Sequence, residues 1–264
     1  MEFYAGIDAG STYTKTAIVD NSGAVMCHKI APTGIDCSIT ARESFNGLCG
    51  ELAVSQSNIF VTSTGYGRRM IDIADQNVTE IKAHAAGGSR KLSDGREIRT
   101  IIDIGGQDSK VILLDEEGET INFAMNDKCA AGTGRFLEVI SRVLEVTVND
   151  LGALSLQSKA PCQISSLCAV FAESEVISLL ARKNKRSDII AGIHRSLARR
   201  ISSMARKTGV ESEVLLTGGG ALNPGLVAAF EDELMMDIHV EGNPQLNGAV
   251  GAALIGRNSN GGAG

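Results

Sequence analysis

The feature that most constrains this chain is a β-rich pattern that occurs twice. Phe3 to Ala9 and Thr14 to Asp20 read as strands on either side of Gly10-Ser11-Thr12, and Asn21-Ser22-Gly23 turns into a third strand near Ala24 to Ile30. From Glu97 the pattern restarts as Ile98 to Ile104, Ser109 to Asp115 and Thr120 to Met125, with turns at Gly105-Gly106 and Glu116-Glu117-Gly118. Superposing Asp8 on Asp103 aligns Gly10 with Gly105, Lys15 with Lys110, Asp20 with Asp115 and Gly23 with Gly118, at offsets of 2, 7, 12 and 15 in both copies. Chance produces one or two such coincidences, but each of these also occupies the same place on its hairpin. An internal duplication is the better account, and it divides the chain into two related lobes.

Strands alternate with helical stretches, so the fold class is α/β. Ser38 to Val54 and Thr79 to Leu92 read as helices of the first lobe, with a strand at Asn58 to Ser63 between them. After the second meander come helices at about Gly132 to Glu145, Ala169 to Lys183 and Ser187 to Lys207. The first of these carries Phe136, Leu137, Ile140, Val143 and Leu144 on one stripe. A strand at Glu213 to Thr217 runs into Gly218-Gly219-Gly220, followed by a helix from Pro224, a short strand near Ile238 and a last helix from Gly248. The expected domains are residues 1–95, residues 96–257 and a flexible Gly-rich tail at 258–264.

Composition narrows the partners. A net charge of −6 offers no general basic field for nucleic acid or an anionic membrane, and 4% aromatic residues without Trp supply few stacking platforms. The 30 glycines instead point to tight backbone turns as the place to look for function. No apolar run approaches the roughly 18–20 residues that span a bilayer, and Met1-Glu-Phe-Tyr lacks the regions of a signal peptide, so a cytoplasmic location is expected.

Asp-x-Gly-Ser-Thr at the first turn places backbone N–H groups and two hydroxyls around an anion, while Asp8 at the strand end suits Mg²⁺ or its waters. A second turn, Asp103-Ile104-Gly105-Gly106-Gln107-Asp108, supplies a facing clamp for a chain of phosphates. Thr217-Gly-Gly-Gly-Ala-Leu-Asn223 closes a strand and opens a helix, where bare backbone can lie against a nucleoside or phosphate. Lys15 and Lys110 lie on the strands leaving the two turns. Solvated strand lysines are commoner than phosphate ligands, and they stay outside the candidate set.

In these turns the sequence resembles the actin, heat-shock-70 and sugar-kinase superfamily. The resemblance implies two RNase-H-like lobes of an actin-like ATPase fold with a nucleotide cleft between them. It places Asp8 and Asp103 near Mg²⁺ and the attacking water, Gly10, Ser11, Thr12, Gly105, Gly106 and Gln107 at phosphates, and Gly218, Gly219 and Gly220 by the adenosine of ATP or ADP. Neither G-x-x-x-x-G-K-[ST] nor a G-x-G-x-x-G following a strand is present.

Of six cysteines, two stand out. Cys129 in Asn126-Asp-Lys-Cys-Ala-Ala-Gly-Thr-Gly-Arg135 and Cys168 in Ile164-Ser-Ser-Leu-Cys-Ala-Val-Phe-Ala-Glu each directly precede an expected helix. A helix N-terminus stabilises a thiolate, which suits the ligands of an anionic iron–sulfur cluster, although buried core cysteine is the commoner fate. A cluster normally takes four thiolates, which two subunits with two each would supply around one shared site; that stoichiometry predicts a homodimer.

These strings, with Gly-Tyr-Gly-Arg at 65–68 and Ile-Asp-Ile-Gly-Gly-Gln-Asp at 102–108, are similar to the ATP-dependent activators of 2-hydroxyacyl-CoA dehydratases, also found as the ATPase part of benzoyl-CoA reductases. The resemblance runs from Gly6 to about Ala253. It implies one [4Fe-4S] cluster bridging two identical subunits through Cys129 and Cys168, and a ferredoxin or flavodoxin as donor. It also implies ATP-driven delivery of a low-potential electron to a double-cluster dehydratase or reductase. Raising an electron by about 300 mV costs roughly 7 kcal/mol, which coupling to ATP supplies. Cys162 is a competing ligand by position, while Cys27, Cys37 and Cys49 read as packing residues. The alternative from another class is a small-molecule (sugar or acid) kinase of the same superfamily with structural cysteines and Asp103 as its base.

Overall fold

The computed structural model describes residues 2–89, 95–165 and 169–261. The first meander forms as expected from β1 (Phe3–Ala9), β2 (Tyr13–Asp20) and β3 (Val25–Pro32). Two parallel strands, β4 (Ile59–Thr64) and β5 (Gln76–Asn77), complete a five-stranded sheet of order β3-β2-β1-β4-β5. The second copy repeats this plan. β6 (Thr100–Ile104), β7 (Ser109–Leu114) and β8 (Thr120–Asn126) are joined by β9 (Val214–Gly218), parallel to β6, and β10 (Ile238–His239), parallel to β9. Its order, β10-β9-β6-β7-β8, matches the first sheet strand for strand.

The duplication extends to hydrogen bonds. Asp8 stands opposite Lys15 across β1 and β2, as Asp103 stands opposite Lys110 across β6 and β7. At the far turns, the Asp20 carboxylate accepts from the N–H groups of Ser22 and Ala24 at 2.9 and 3.0 Å, and Asp115 accepts from Glu117 and Glu119 at 3.1 and 2.8 Å. Gly23 and Gly118 follow with φ of +86° and +81°. Each aspartate thus folds its own turn, satisfying donors that a tight reversal leaves without ladder partners.

Helices cover the sheets. In the first lobe α1 (Cys37–Leu52) is capped by Asp36, which accepts from Ser38 N–H at 2.9 Å, and it buries Ala41, Phe45, Leu48 and Cys49 against β1 and β4. α2 (Glu80–Gly88) lies beyond β5. Between β8 and β9 the second copy carries α3 (Gly134–Val143), α4 (Asp150–Ser155), α5 (Ala169–Ala181) and α6 (Arg186–Thr208), and α7 (Pro224–Leu234) follows β9. The expected stripe of α3 is buried at Phe136, Leu137 and Ile140, each contributing roughly 1.5–3 kcal/mol by leaving water. α4 and β5 are too short for periodicity to reveal. Among the described residues no helix is long and apolar enough to cross a membrane.

The division of the chain departs from expectation. One compact unit comprises Met1–Ile98, Leu114–Ile121 and Gln245–Gly264, and the other Arg99–Leu113 and Asn122–Pro244. The boundary expected at 95/96 falls at 98/99, and the last helix, α8 (Asn247–Ser259), belongs to the first unit rather than to a second domain ending at 257. Small residues explain this. Any Cβ at Gly6 would run into the Ala249 carbonyl, and one at Gly251 into that of Ala83, so α8 lies backbone to backbone between β1 and α2. α8 also continues through Ser259, into the stretch read as tail; residues 262–264 lie outside the described residues.

Candidate nucleotide site and cysteine loop

Asp8, the penultimate residue of β1, is 4% exposed. Its Oδ2 accepts from Lys15 Nζ at 2.9 Å, while its Oδ1 is buried without a hydrogen-bond partner among the described residues. Lys15 also reaches the turn itself, since a Cβ on Gly10 would stand 3.1 Å from its Nζ. The turn is braced by Thr33, just past β3, whose Oγ1 donates to the Gly10 carbonyl at 2.7 Å and whose N–H donates to the Thr12 carbonyl at 3.0 Å. Ser11 is left exposed, with Gly10 and Thr12 half-buried. The turn therefore keeps its shape while presenting backbone and hydroxyls outward.

In the second copy Asp103 Oδ2 accepts from Lys110 Nζ at 3.2 Å, and Thr217 Oγ1 donates to Asp103 Oδ1 at 2.8 Å. Lys110 also pairs with Asp108 and is 1% exposed, so this ammonium is held in the interior by two carboxylates. Gly105 and Gly106 are half-buried and Gln107 is exposed. Their brace comes from α3, where the N–H groups of Gly134 and Arg135 donate to the carbonyls of Gly105 and Gly106, both at 2.8 Å. After β9 the chain turns at Gly218 with φ +80°, where a Cβ would lie 2.9 Å from Asp103 Oδ1. Only glycine fits that turn. Gly219 is exposed and Gly220 is packed flat on Ile104.

The glycine-rich loop is anchored behind by a buried polar chain. Asn223 Oδ1 accepts from Leu226 N–H at 3.0 Å and caps α7, which leaves Nδ2 to donate to His194 Nε2 at 3.1 Å. His194 therefore carries its proton on Nδ1, which donates to Ser155 Oγ at 3.0 Å. Burial pushes the His194 pKa down to about 4, so the ring is neutral at pH 7.

The cysteines separate clearly. Cys37 and Cys49 are buried, and burial pushes the thiol pKa up for both, as it does for Cys27, to about 11, and for Cys162, where the Asp188 carboxylate adds to it. Cys37, Cys49 and Cys27 pack in or against the first core and Cys162 against the second, all poor settings for a thiolate. Cys129 belongs to neither core; it is half-buried, and its carbonyl accepts from Asn126 Nδ2 at 2.9 Å. It does not stand directly before the helix. α3 starts at Gly134 with Thr133 as its N-cap, because Gly132 at φ +123° breaks the chain direction first. Cys129 therefore lies four residues before the N-cap and outside the reach of the helix terminus. Cys168 lies outside the described residues, and α5 begins immediately after it.

Residues 5–256, nearly the whole chain and both phosphate-type turns, match the BadF/BadG/BcrA/BcrD ATPase family. The chain belongs to that family. It is 45% identical over 250 residues to the 2-hydroxyisocaproyl-CoA dehydratase activator of Clostridioides difficile, covering 94% of this chain and 92% of that one. It is 44% identical to the (R)-2-hydroxyglutaryl-CoA dehydratase activating ATPase of Acidaminococcus fermentans, covering 96% and 97%. The solved structure of a Clostridium difficile activator of the 2-hydroxyisocaproyl-CoA dehydratase with bound ADPNP superposes with a TM-score of 0.90 at 43% identity, covering 97% and 95%. A glucokinase from Streptomyces griseus, at 16% identity and a TM-score of 0.54, shares the fold alone. The fold is thus that of the actin-like ATPases and sugar kinases, as the duplicated turns implied.

Within this ATPase family fold, each aspartate sits with its own turn: Asp8 with Gly10, Ser11 and Thr12, and Asp103 with Gly105, Gly106, Gln107 and Gly218. Sequence reasoning missed Lys15 and Lys110, which are aspartate partners rather than solvated strand lysines. Their constant offset of seven residues from Asp8 and Asp103 was the available signal, because it is a cross-strand pair. It also missed Thr217 as more than the start of a glycine run.

Proposed function

We propose that this chain is an ATP-hydrolysing iron–sulfur activator that works as a cytoplasmic homodimer. In this reading the chain holds Mg-ATP. Asp8 and Asp103 lie near Mg²⁺ and the attacking water, Gly10, Ser11, Thr12, Gly105, Gly106 and Gln107 contact phosphates, and Gly218, Gly219 and Gly220 lie against the adenosine. Cys129 and Cys168 of each subunit hold one shared [4Fe-4S] cluster, which supplies one-electron transfer when bound. The donor is a ferredoxin or flavodoxin, and the acceptor is a double-cluster 2-hydroxyacyl-CoA dehydratase or related reductase. The names of the relatives and the ADPNP in the neighbouring structure support this reading.

One observation carries it. The helix that follows the Cys129 loop begins on the second phosphate-type turn, through Gly134 N–H to Gly105 and Arg135 N–H to Gly106. A shift of that turn with the state of the phosphates pulls directly on α3 and the loop before it, and packed elements answer such shifts in steps rather than smoothly. The half-buried Cys129, outside both cores, fits a thiolate ligand better than Cys27, Cys37, Cys49 or Cys162.

The test is anaerobic. Cys129→Ser and Cys168→Ser are expected to lose the brown colour and the iron, while serine at Cys27, Cys37 or Cys49 keeps both. The reduced dimer is expected to activate a purified dehydratase with ATP and not with ADP. Full iron in Cys129→Ser, or a colourless wild type that phosphorylates a sugar or acid, would overturn the proposal.

A further inference from the structure

The two copies differ in the atom pair beside their first aspartates. In the parallel registers Asp8 pairs with Thr64 of β4, and Asp103 pairs with Thr217 of β9. Each threonine is followed by a glycine in the same left-handed turn, Gly65 at φ +85° and Gly218 at φ +80°, and a Cβ at Gly65 would stand 2.5 Å from Asp8 Oδ1. Thr64-Gly65 is therefore the first-lobe counterpart of Thr217-Gly218. In the second lobe the pair is closed by the 2.8 Å bond from Thr217 Oγ1 to Asp103 Oδ1. In the first, Thr64 Oγ1 and Asp8 Oδ1 are both buried, Thr64 wholly and Asp8 at 4% exposure, and neither has a hydrogen-bond partner among the described residues. Thr16 and Thr62 are also unpartnered, but their register neighbours on β1 are Ile7 and Gly6, which offer no carboxylate.

A buried hydroxyl and a buried carboxylate oxygen left open on register-paired residues, with the other carboxylate oxygen already fixed by Lys15, form a cradle for a group that donates two protons, or donates one and accepts one. We propose that Thr64 is a positioning residue for ATP hydrolysis, holding with Asp8 Oδ1 the water that attacks the terminal phosphorus. That water's oxygen bonds to Pγ, the bond from Pγ to the ADP oxygen breaks, and the water's proton leaves through the Asp8 carboxylate to solvent. The products are ADP, inorganic phosphate and a proton. Thr217 has no such part, because its hydroxyl is spent on Asp103. This inference rests on the reading of Asp8 as part of the ATP site.

Two substitutions separate the hydroxyl from the shape of the side chain. Thr64→Val keeps the shape and loses the hydroxyl; Thr64→Ser keeps the hydroxyl and loses a methyl. The expected result is a fall of at least about 10-fold in kcat for Thr64→Val, with the Kd of Mg-ADPNP within about 3-fold of wild type, and rescue by Thr64→Ser to within about 3-fold. Thermal melts accompany each, and Thr64→Ala is read instead if the valine variant fails to fold. Packing alone predicts the reverse order, with valine active and serine impaired, and that result overturns the proposal. So does a loss that saturating Mg²⁺ restores, which would give the pair to the cation's hydration. Asp8→Asn is the control for the underlying reading. If it hydrolyses ATP like wild type, the ATP site is misplaced; if it is impaired while Thr64→Val is not, only the present inference fails.

Discussion

The two hairpins share a skeleton and differ in what holds them. Both set an aspartate opposite a lysine near the end of a central strand, and both fold their far turn on a second aspartate. The first turn is braced from within its own meander by Thr33, and its lysine is 19% exposed. The second is braced from outside by α3, its lysine is 1% exposed between Asp103 and Asp108, and Thr217 closes the remaining carboxylate oxygen. A duplicated frame has thus diverged into an open copy with spare polar capacity and a closed copy wired to the Cys129 loop. The contrast teaches that matched positions in a repeat need not share a duty.

The largest test of that contrast lies at the lysines. Lys110→Met leaves carboxylates facing the interior without their cation and is expected to destabilise the protein by about 3–5 kcal/mol, against about 1–2 kcal/mol for Lys15→Met, by chemical denaturation. Equal losses would break the distinction between open and closed copies. A smaller effect is expected at His194, whose contacts anchor the glycine-rich loop of the second copy. Its pKa is held near 4 when folded and lies near 6.5 when unfolded, so the folded state binds fewer protons between those values. The resulting stability is present above about pH 6.5 and is lost as pH falls toward 4, by roughly 3 kcal/mol in all. His194→Gln should therefore be less stable than wild type at pH 7 and lose that deficit by about pH 4.5; a constant gap in melting temperature across this range would contradict it. The smallest effect is expected at the far turns, where Asp20→Ala should lower the melting temperature slightly more than Asp115→Ala, because both accept from two backbone N–H groups but Asp20 also accepts from Ser22 Oγ at 2.6 Å.

Much of this architecture was legible in the sequence wherever it repeats at a fixed offset. Asp8, Gly10, Asp103 and Gly105 emerge from the register of two meanders, and the long helices α3 and α6 from apolar periodicity. The equivalence of Thr64 and Thr217 was not legible, because α3 to α6 are inserted between β8 and β9 and destroy the constant spacing. Periodicity also gives no sign of which lobe owns a helix. α8 reads as the end of the second domain because it follows it in the chain, whereas Gly6 and Gly251 record its true neighbours only once backbone approaches are known. The distance of Cys129 from the start of α3 was also hidden, because Gly132 and Thr133 delay the helix to Gly134.

That placement of α8 bears on how the protein is made. β1 leaves the ribosome long before the helix that covers it through Ala249 and Ala253. At about 5–20 residues per second, the roughly 150 residues between the end of the first lobe and α8 keep one face of the first sheet bare for on the order of 10–30 s. During that interval the nascent chain presents Tyr4, Ala17 and Val19 to whatever is nearby, so the first lobe is finished only after the second has been made.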